Sequence, residues 1–171
     1  MDSDCTLQTA ETLLQPWAEG YDHPEPNRLD VQVTAANLKS AVQELVKAHW
    51  GYLSAITGLD HPAPGEAEGE DQAGSSSSLP VEGTLEALYH FCCSSVWTTL
   101  RVNVPYSRPV IPSICDIIPS ATLYERELME LFGVELPGTP SLQRLVLPDD
   151  WPDGVYPLRK SFTGFESPTP P

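Results

Sequence analysis

Twelve of the eighteen prolines lie from Pro105 onward, and that distribution divides the chain in two. Proline lacks a backbone donor and fixes φ, so a segment this rich in it supports neither a long helix nor an inner strand. Regular structure must be concentrated ahead of Pro105, and the remainder must be mostly extended and irregular. One exception stands out. Thr122-Leu123-Tyr124-Glu125 reads as a capping box. Tyr124, Leu128, Leu131 and Phe132 then form one apolar face, Glu125, Arg126, Glu127 and Glu130 form the opposite one, and Gly133 supplies the stop. Val134 and Leu136 follow as a short strand before the Pro137-Gly138 turn.

Ahead of Pro105 the periodicities alternate between strand and helix. Leu29, Val31 and Val33 alternate with polar residues, Thr34 stands at an N-cap position, and Leu38, Val42, Leu45, Val46 and His49 recur at helical spacing before Gly51. Tyr52 to Ile56 reads as a second strand ending in a turn over Thr57-Gly58-Leu59-Asp60. Leu85 to Phe91 and Val96 to Val104 alternate as an antiparallel pair joined by Cys92 to Ser95, with a helix across Leu85 to Cys92 as the other reading. The expected fold is α+β, a small and mostly antiparallel sheet with amphipathic helices, followed by an extended proline-rich C-terminal tail. Three regions are expected: 1–28, a short helix (Glu11 to Trp17) and linker; 29–136, the α+β domain with a flexible acidic loop at 61–80; and 137–171, the tail. With 171 residues there is room for one hydrophobic core.

The formal net charge of -15 opposes attraction to nucleic-acid phosphates or anionic lipid. No apolar run approaches the roughly 18 residues of a membrane span, and the acidic start MDSDCTLQTAE lacks the basic region of a secretory signal, so a cytoplasmic, soluble or peripheral protein is expected. The four cysteines form no CxxC pair, which leads to an expectation of reduced, mostly buried thiols.

Candidate chemistry is sparse. Glu127 and Glu130 share a helix face and could form an acid and base pair, but clustered acids near a helix start are ordinary. His90, Cys92, Cys93 and Cys115 do not reproduce a zinc spacing, and His23, His49 and His61 lie in unrelated settings. No nucleotide cradle or nucleophile motif is present. No catalytic, cofactor-binding or metal residue is therefore expected. The tail carries Leu142, Leu145, Val146, Leu147, Trp151 and Leu158 interleaved with Arg144, Arg159 and Lys160, in a segment too broken to form its own core. Such a tail either packs back on its own domain or docks on a partner, and its mixed apolar and basic character favours a docking strap.

The stretch YERELMELFGVELPGTPSLQRLVLPDDWPDGVYPLRKSF resembles the signature of the C-subunit, or thirty-kilodalton, family of respiratory complex I. Glu125, Arg126, Glu127, Phe132, Gly133, Gly138, Pro140, Leu142, Arg144, Pro148, Asp150, Trp151, Pro157, Leu158, Arg159 and Lys160 fall in register with it. Weaker similarity covers Val31 to Asp60 and Leu85 to Ala121. Residues 1–28 and the 61–80 loop have no counterpart. Glu130, Thr139 and Ser161 depart from the family's usual Asp, His and Asp. The DGVYPLRK form looks more like the homologous subunit of membrane-bound nickel-iron hydrogenases, including formate hydrogenlyase types.

The resemblance implies a non-catalytic structural subunit of a hydrophilic arm, peripheral on the cytoplasmic face of the inner membrane and touching the membrane only through partner subunits. It implies no cofactor in this chain. The iron-sulfur clusters and the nickel-iron centre or quinone belong to the small iron-sulfur subunit and the large subunit that this chain clamps together. Expected interface residues are Arg126, Glu127, Glu130, Phe132, Arg144, Asp150, Trp151, Leu158, Arg159 and Lys160. Other readings are the same subunit of an NADH or ferredoxin:quinone oxidoreductase, an acidic assembly factor, and a stand-alone enzyme using Glu127 and Glu130.

Overall fold

The computed structural model describes residues 6–63 and 82–164. In chain order the elements are α1 (Leu7–Leu14), β1 (Ala18–Glu25), β2 (Arg28–Val33), α2 (Leu38–Lys47), β3 (Tyr52–His61), β4 (Thr84–Cys93), β5 (Val96–Pro105) and α3 (Ala121–Phe132). The strands form one sheet in the order β1-β2-β5-β4-β3. Only β2 and β5 run parallel, so the sheet is mixed but mostly antiparallel, as the sequence pattern requires. Leu29, Val31, Tyr89, Phe91, Leu100 and Val102 point to one face, where they join Leu14 of α1, Leu38 and Leu45 of α2 and Leu128 of α3 in a single buried core.

Several elements differ from the sequence reading for identifiable reasons. The first helix lies at Leu7–Leu14 rather than Glu11 to Trp17, with the Thr6 hydroxyl accepting from the Thr9 amide. The expected linker contains β1, an edge strand whose side chains are nearly all exposed, so its sequence shows no alternation. Thr34 does cap a turn, accepting from the Asn37 amide at 3.2 Å, but α2 begins later, at Leu38. His49 lies outside α2 with φ of 52°, and Trp50 is buried instead.

Strand β3 runs straight through the expected turn, because Gly58 pairs with Ala87 and lets the Phe132 ring lie against the strand. A Cβ at Gly58 would come within 2.4 Å of that ring. The β4–β5 pair is a hairpin, and the alternative helix does not form. Val134 and Leu136 are buried, but they flank a single bridge between Glu135 and Val110 rather than a strand. Most of the expected 61–80 loop lies outside the described residues; His61 ends β3.

The capping box does not form. Helix α3 starts at Ala121, and Glu125, spaced four residues from Ala121, three from Leu128 and seven from Phe132, shares their stripe and is fully buried rather than solvated. There its carboxyl accepts from the Ile114 amide at 2.8 Å and from the Cys115 thiol at 3.2 Å. The Thr122 hydroxyl donates instead to the Pro119 carbonyl at 2.8 Å. Glu125 thus pins the proline-rich segment that leads into α3. Burial pushes the Cys115 thiol up from its ordinary pKa, and the Glu125 contact adds to that. Cys92 and Cys115 are free and buried, whereas Cys93 is disulfide-bonded, against the expectation of uniformly reduced thiols.

Two substitutions test this packing by denaturant unfolding. Glu125→Ala leaves the Ile114 amide buried without an acceptor and should destabilise by about 2–4 kcal/mol, while Glu127→Ala should change stability by less than about 1 kcal/mol. Gly58→Ala forces the Phe132 ring away and should cost about 1–3 kcal/mol.

Candidate subunit interface

The outward face of α3 sets the course of the tail. Arg126 donates through Nε to the Gln143 carbonyl at 2.7 Å and through its terminal nitrogen to the Arg144 carbonyl. One turn on, the Glu130 carboxylate accepts from the successive amides of Leu145, Val146 and Leu147, the last two at 2.9 and 3.0 Å. Burial acts to raise the Glu130 carboxyl, but these amides and the Arg126 charge outweigh it and hold its pKa below the ordinary glutamate value. A carboxylate so engaged is a structural acceptor rather than a free general base. Glu127 is half-buried and takes no part in these bonds.

Beyond this anchor the chain folds on itself and returns to the body. Arg144 donates to the Pro148 and Asp149 carbonyls at 2.7 and 3.2 Å and pairs with Asp153 at 2.8 Å. The Trp151 indole donates to the Val155 carbonyl, and its ring centroid lies 6.1 Å from that of Phe162. The Leu158 amide donates to the Leu131 carbonyl, and the Arg159 Nε donates to the Phe132 carbonyl at 2.7 Å. The Arg159 guanidinium also lies over the rings of Tyr156 and Tyr106, 4.5 and 5.3 Å from their centroids. Asp60, 6% exposed at the end of β3, accepts from the Lys160 amide at 2.7 Å and from the Tyr106 hydroxyl. Gly133, at φ of 72°, ends α3 and makes room for the Tyr156 ring.

Of the residues expected at an interface, Arg126, Glu130 and Arg144 therefore spend their polar groups on this chain's own tail, and Arg159 spends its Nε on the end of α3. Phe132 is buried against Gly58, Trp151 is half-buried, and Asp150, Leu158 and the Lys160 side chain are exposed. The backbone of the tail packs back on its own domain, which is the course the sequence reading did not favour. Its apolar side chains do not follow it inward. Leu142 is 77% exposed, Val146 55% and Leu158 52%. An apolar groove lined by Met129, Val134, Leu136, Leu142 and Tyr156 opens between the end of α3 and the tail. The arrangement suits contact with a protein surface better than chemistry. Sequence reasoning missed Asp60, Tyr106 and Tyr156 as the tail's anchors; the only signal for Asp60 was a Gly-x-Asp spacing read as a turn.

Residues 31–168 match the family described as respiratory-chain NADH dehydrogenase, 30 Kd subunit. The C subunit of the NADH-quinone oxidoreductase of Moorella thermoacetica is 32% identical over 147 residues, 84% of this chain and 82% of that protein. Formate hydrogenlyase subunit 5 of Escherichia coli (strain K12) is 48% identical over 64 residues, 37% of this chain and 11% of that protein. Membrane-bound hydrogenase subunit beta of Pyrococcus furiosus is 46% identical over 65 residues, 38% of each chain. The matches to these last two thus span well under half of either relative. The fold is similar to that of a solved trypsin-resistant fragment of Nqo5, with a TM-score of 0.57 at 20% identity over 82% of this chain and 99% of that one. No helix among the described residues is long and apolar enough to cross a membrane.

The Glu130 anchor sets a pH dependence. A carboxyl whose folded pKa is depressed stabilises the tail above its unfolded pKa and loses that contribution as pH falls through the folded value. Protection of the Leu145, Val146 and Leu147 amides against hydrogen exchange, corrected for intrinsic rates, should hold at pH 7 and fall away below the reference value of 4.5. In Glu130→Gln the three amides should be poorly protected at both pH values.

Proposed function

The chain belongs to the family of the respiratory-chain NADH dehydrogenase 30 Kd subunit, and from that premise we propose that it is a non-catalytic structural subunit of a complex I-like membrane-bound nickel-iron hydrogenase. In this reading the sheet domain and the tail clamp the large catalytic subunit to the small iron-sulfur subunit while electron transfer is coupled to ion translocation. The clusters and the nickel-iron centre are held by those partners, and the chain sits in the peripheral arm on the cytoplasmic face of the membrane. It reaches the bilayer only through its partners.

The observation that carries the proposal is the exposure of the apolar side chains of Leu142, Val146 and Leu158 on a backbone already tied down by Arg126, Glu130 and Asp60. A flexible tail loses conformational entropy when it docks, whereas a tail pre-ordered on its own body loses far less. The expected contact residues Arg126, Glu130, Arg144 and Arg159 then act by shaping the strap, and Leu158, Asp150 and Lys160 by touching the partner.

The DGVYPLRK form and the similarity to a formate hydrogenlyase subunit and a membrane-bound hydrogenase subunit support the hydrogenase branch. The same role in an NADH or ferredoxin:quinone oxidoreductase is favoured by a different observation, the match over most of the length of the Moorella thermoacetica protein. A co-purifying large subunit with four metal-binding cysteines identifies the hydrogenase, and one without them the quinone reductase.

Removing residues 142–171 should release the chain from the complex, with the sheet domain still unfolding cooperatively, since among the described residues the buried core contains none beyond Leu136. Leu142→Glu combined with Val146→Glu should weaken retention by at least about tenfold without changing the fold. Full retention of either variant in the purified complex would contradict the strap. Activity in the isolated chain, lost on changing Glu127 to Gln, would point instead to an enzyme.

A further inference from the structure

Helices α1, α2 and α3 contribute to a core on one face of the sheet, and no helix among the described residues lies on the other. The pairing register aligns Arg28, Trp97, Cys92 and Tyr52 side by side across β2, β5, β4 and β3 on that open face. Cys92 is buried, whereas Trp97 is 43% and Tyr52 66% exposed. Arginine, tryptophan and tyrosine are the residue types that most often dominate the energetics of a protein interface.

Beyond this row the same face carries charges already paired with one another. Asp30 and Glu86 are each 3% exposed. Arg101 grips Glu86 through two nitrogens at 2.7 and 3.0 Å and reaches Asp30 at 3.2 Å. Arg28 bonds Asp30 at 2.9 Å, and His61 bonds Glu86 at 2.8 Å. Burial acts to raise the Glu86 carboxyl, but its bonds to Arg101 and His61 outweigh it and hold its pKa below the ordinary value. Two guanidinium groups balance two carboxylates in this network, with the His61 ring bonded to one of them, and each of these carboxylates has a partner.

Asp30 and Glu86 are already withdrawn from water, so their pairing lets the face be covered further without stranding an ion. The β1 edge of this face is acidic. Asp22 and Glu25 of β1 lie opposite Asp30 and Arg28 and are exposed, and the strands contain no lysine, in a chain of net charge -15.

We infer that the open face of the sheet is a second docking surface, separate from the tail. Its occupant is another protein whose contact surface is apolar where it receives Trp97 and Tyr52, at the β4–β5 hairpin end of the face, and basic along the β1 edge, opposite Asp22 and Glu25. The inference rests on the chain being a subunit of a larger assembly, but not on which protein the tail contacts.

A photoreactive benzoylphenylalanine at position 97, or at 52 should Trp97 be needed for folding, tests this in the full-length tagged chain expressed with its assembly; a second preparation carries the probe at position 142. The expected result is an adduct from the sheet face with a stoichiometric co-purifying subunit. It should fall about tenfold in Asp22→Lys/Glu25→Lys, consistent with the loss of electrostatic complementarity along the β1 edge. An adduct from 142 with none from 97 or 52 overturns the inference while leaving the tail reading intact. An adduct with a second copy of this chain, or one insensitive to the charge reversal, also overturns it. Absence of adducts from all three positions overturns both.

Discussion

A proline-broken tail cannot satisfy its own backbone, and the rest of the molecule is arranged around that deficit. Arg126 and Glu130, one turn apart on α3, supply it. The guanidinium takes the carbonyls of residues 143 and 144, and the carboxylate takes the amides of 145–147. Charge-assisted bonds of this kind are stronger than neutral ones, so a few side chains can do for the tail what a sheet or helix ladder does elsewhere. The tail is ordered without regular secondary structure because α3 and Asp60 anchor it to the body while Arg144 and Trp151 tie its own turns together.

Helix α3 therefore has two loaded sides. Inward, Glu125 pins the segment before it, and Phe132 lies against the glycine of β3. Outward, Arg126 and Glu130 hold the tail, and the carbonyls of Leu131 and Phe132 receive Leu158 and Arg159. The end of β3 closes the circuit, with Asp60 binding Lys160 and Tyr106. Sheet, helix and tail are consequently coupled, and the exposed apolar residues of the tail are presented in a geometry that the sheet domain sets. The opposite face of the sheet solves a different problem, carrying paired charges and the exposed rings of Trp97 and Tyr52 where no helix among the described residues covers it.

Strands with one buried side and one polar side were legible. β2, β4 and β5 alternate visibly, and the amphipathic stripe of α2 begins close to where spacing puts it. What escaped was structure set by distant contacts. β1 is an exposed edge with no apolar rhythm, Thr57–Asp60 reads as a turn until the Phe132 ring explains Gly58, and Glu125 reads as a surface acid by its charge although it stands three and seven residues before Leu128 and Phe132 and so shares their face. The family-matching residues in the tail were visible, but not their direction of action: arginines expected to reach a partner bind carbonyls of their own chain. A sequence can show that Arg126 and Arg144 need acceptors without showing that the acceptors lie 17 residues away or in the next turn.

The central claim is that the tail is held by its own body on the inside and offers an apolar surface on the outside. Hydroxyl-radical footprinting of Leu142, Val146 and Leu158, in the free chain and in the assembled complex, tests it most directly. The account predicts that all three are oxidised readily in the free chain and are protected at least about tenfold on assembly. Equal oxidation in both states would mean that this surface meets no partner, and the strap would then be only a structural cover for α3.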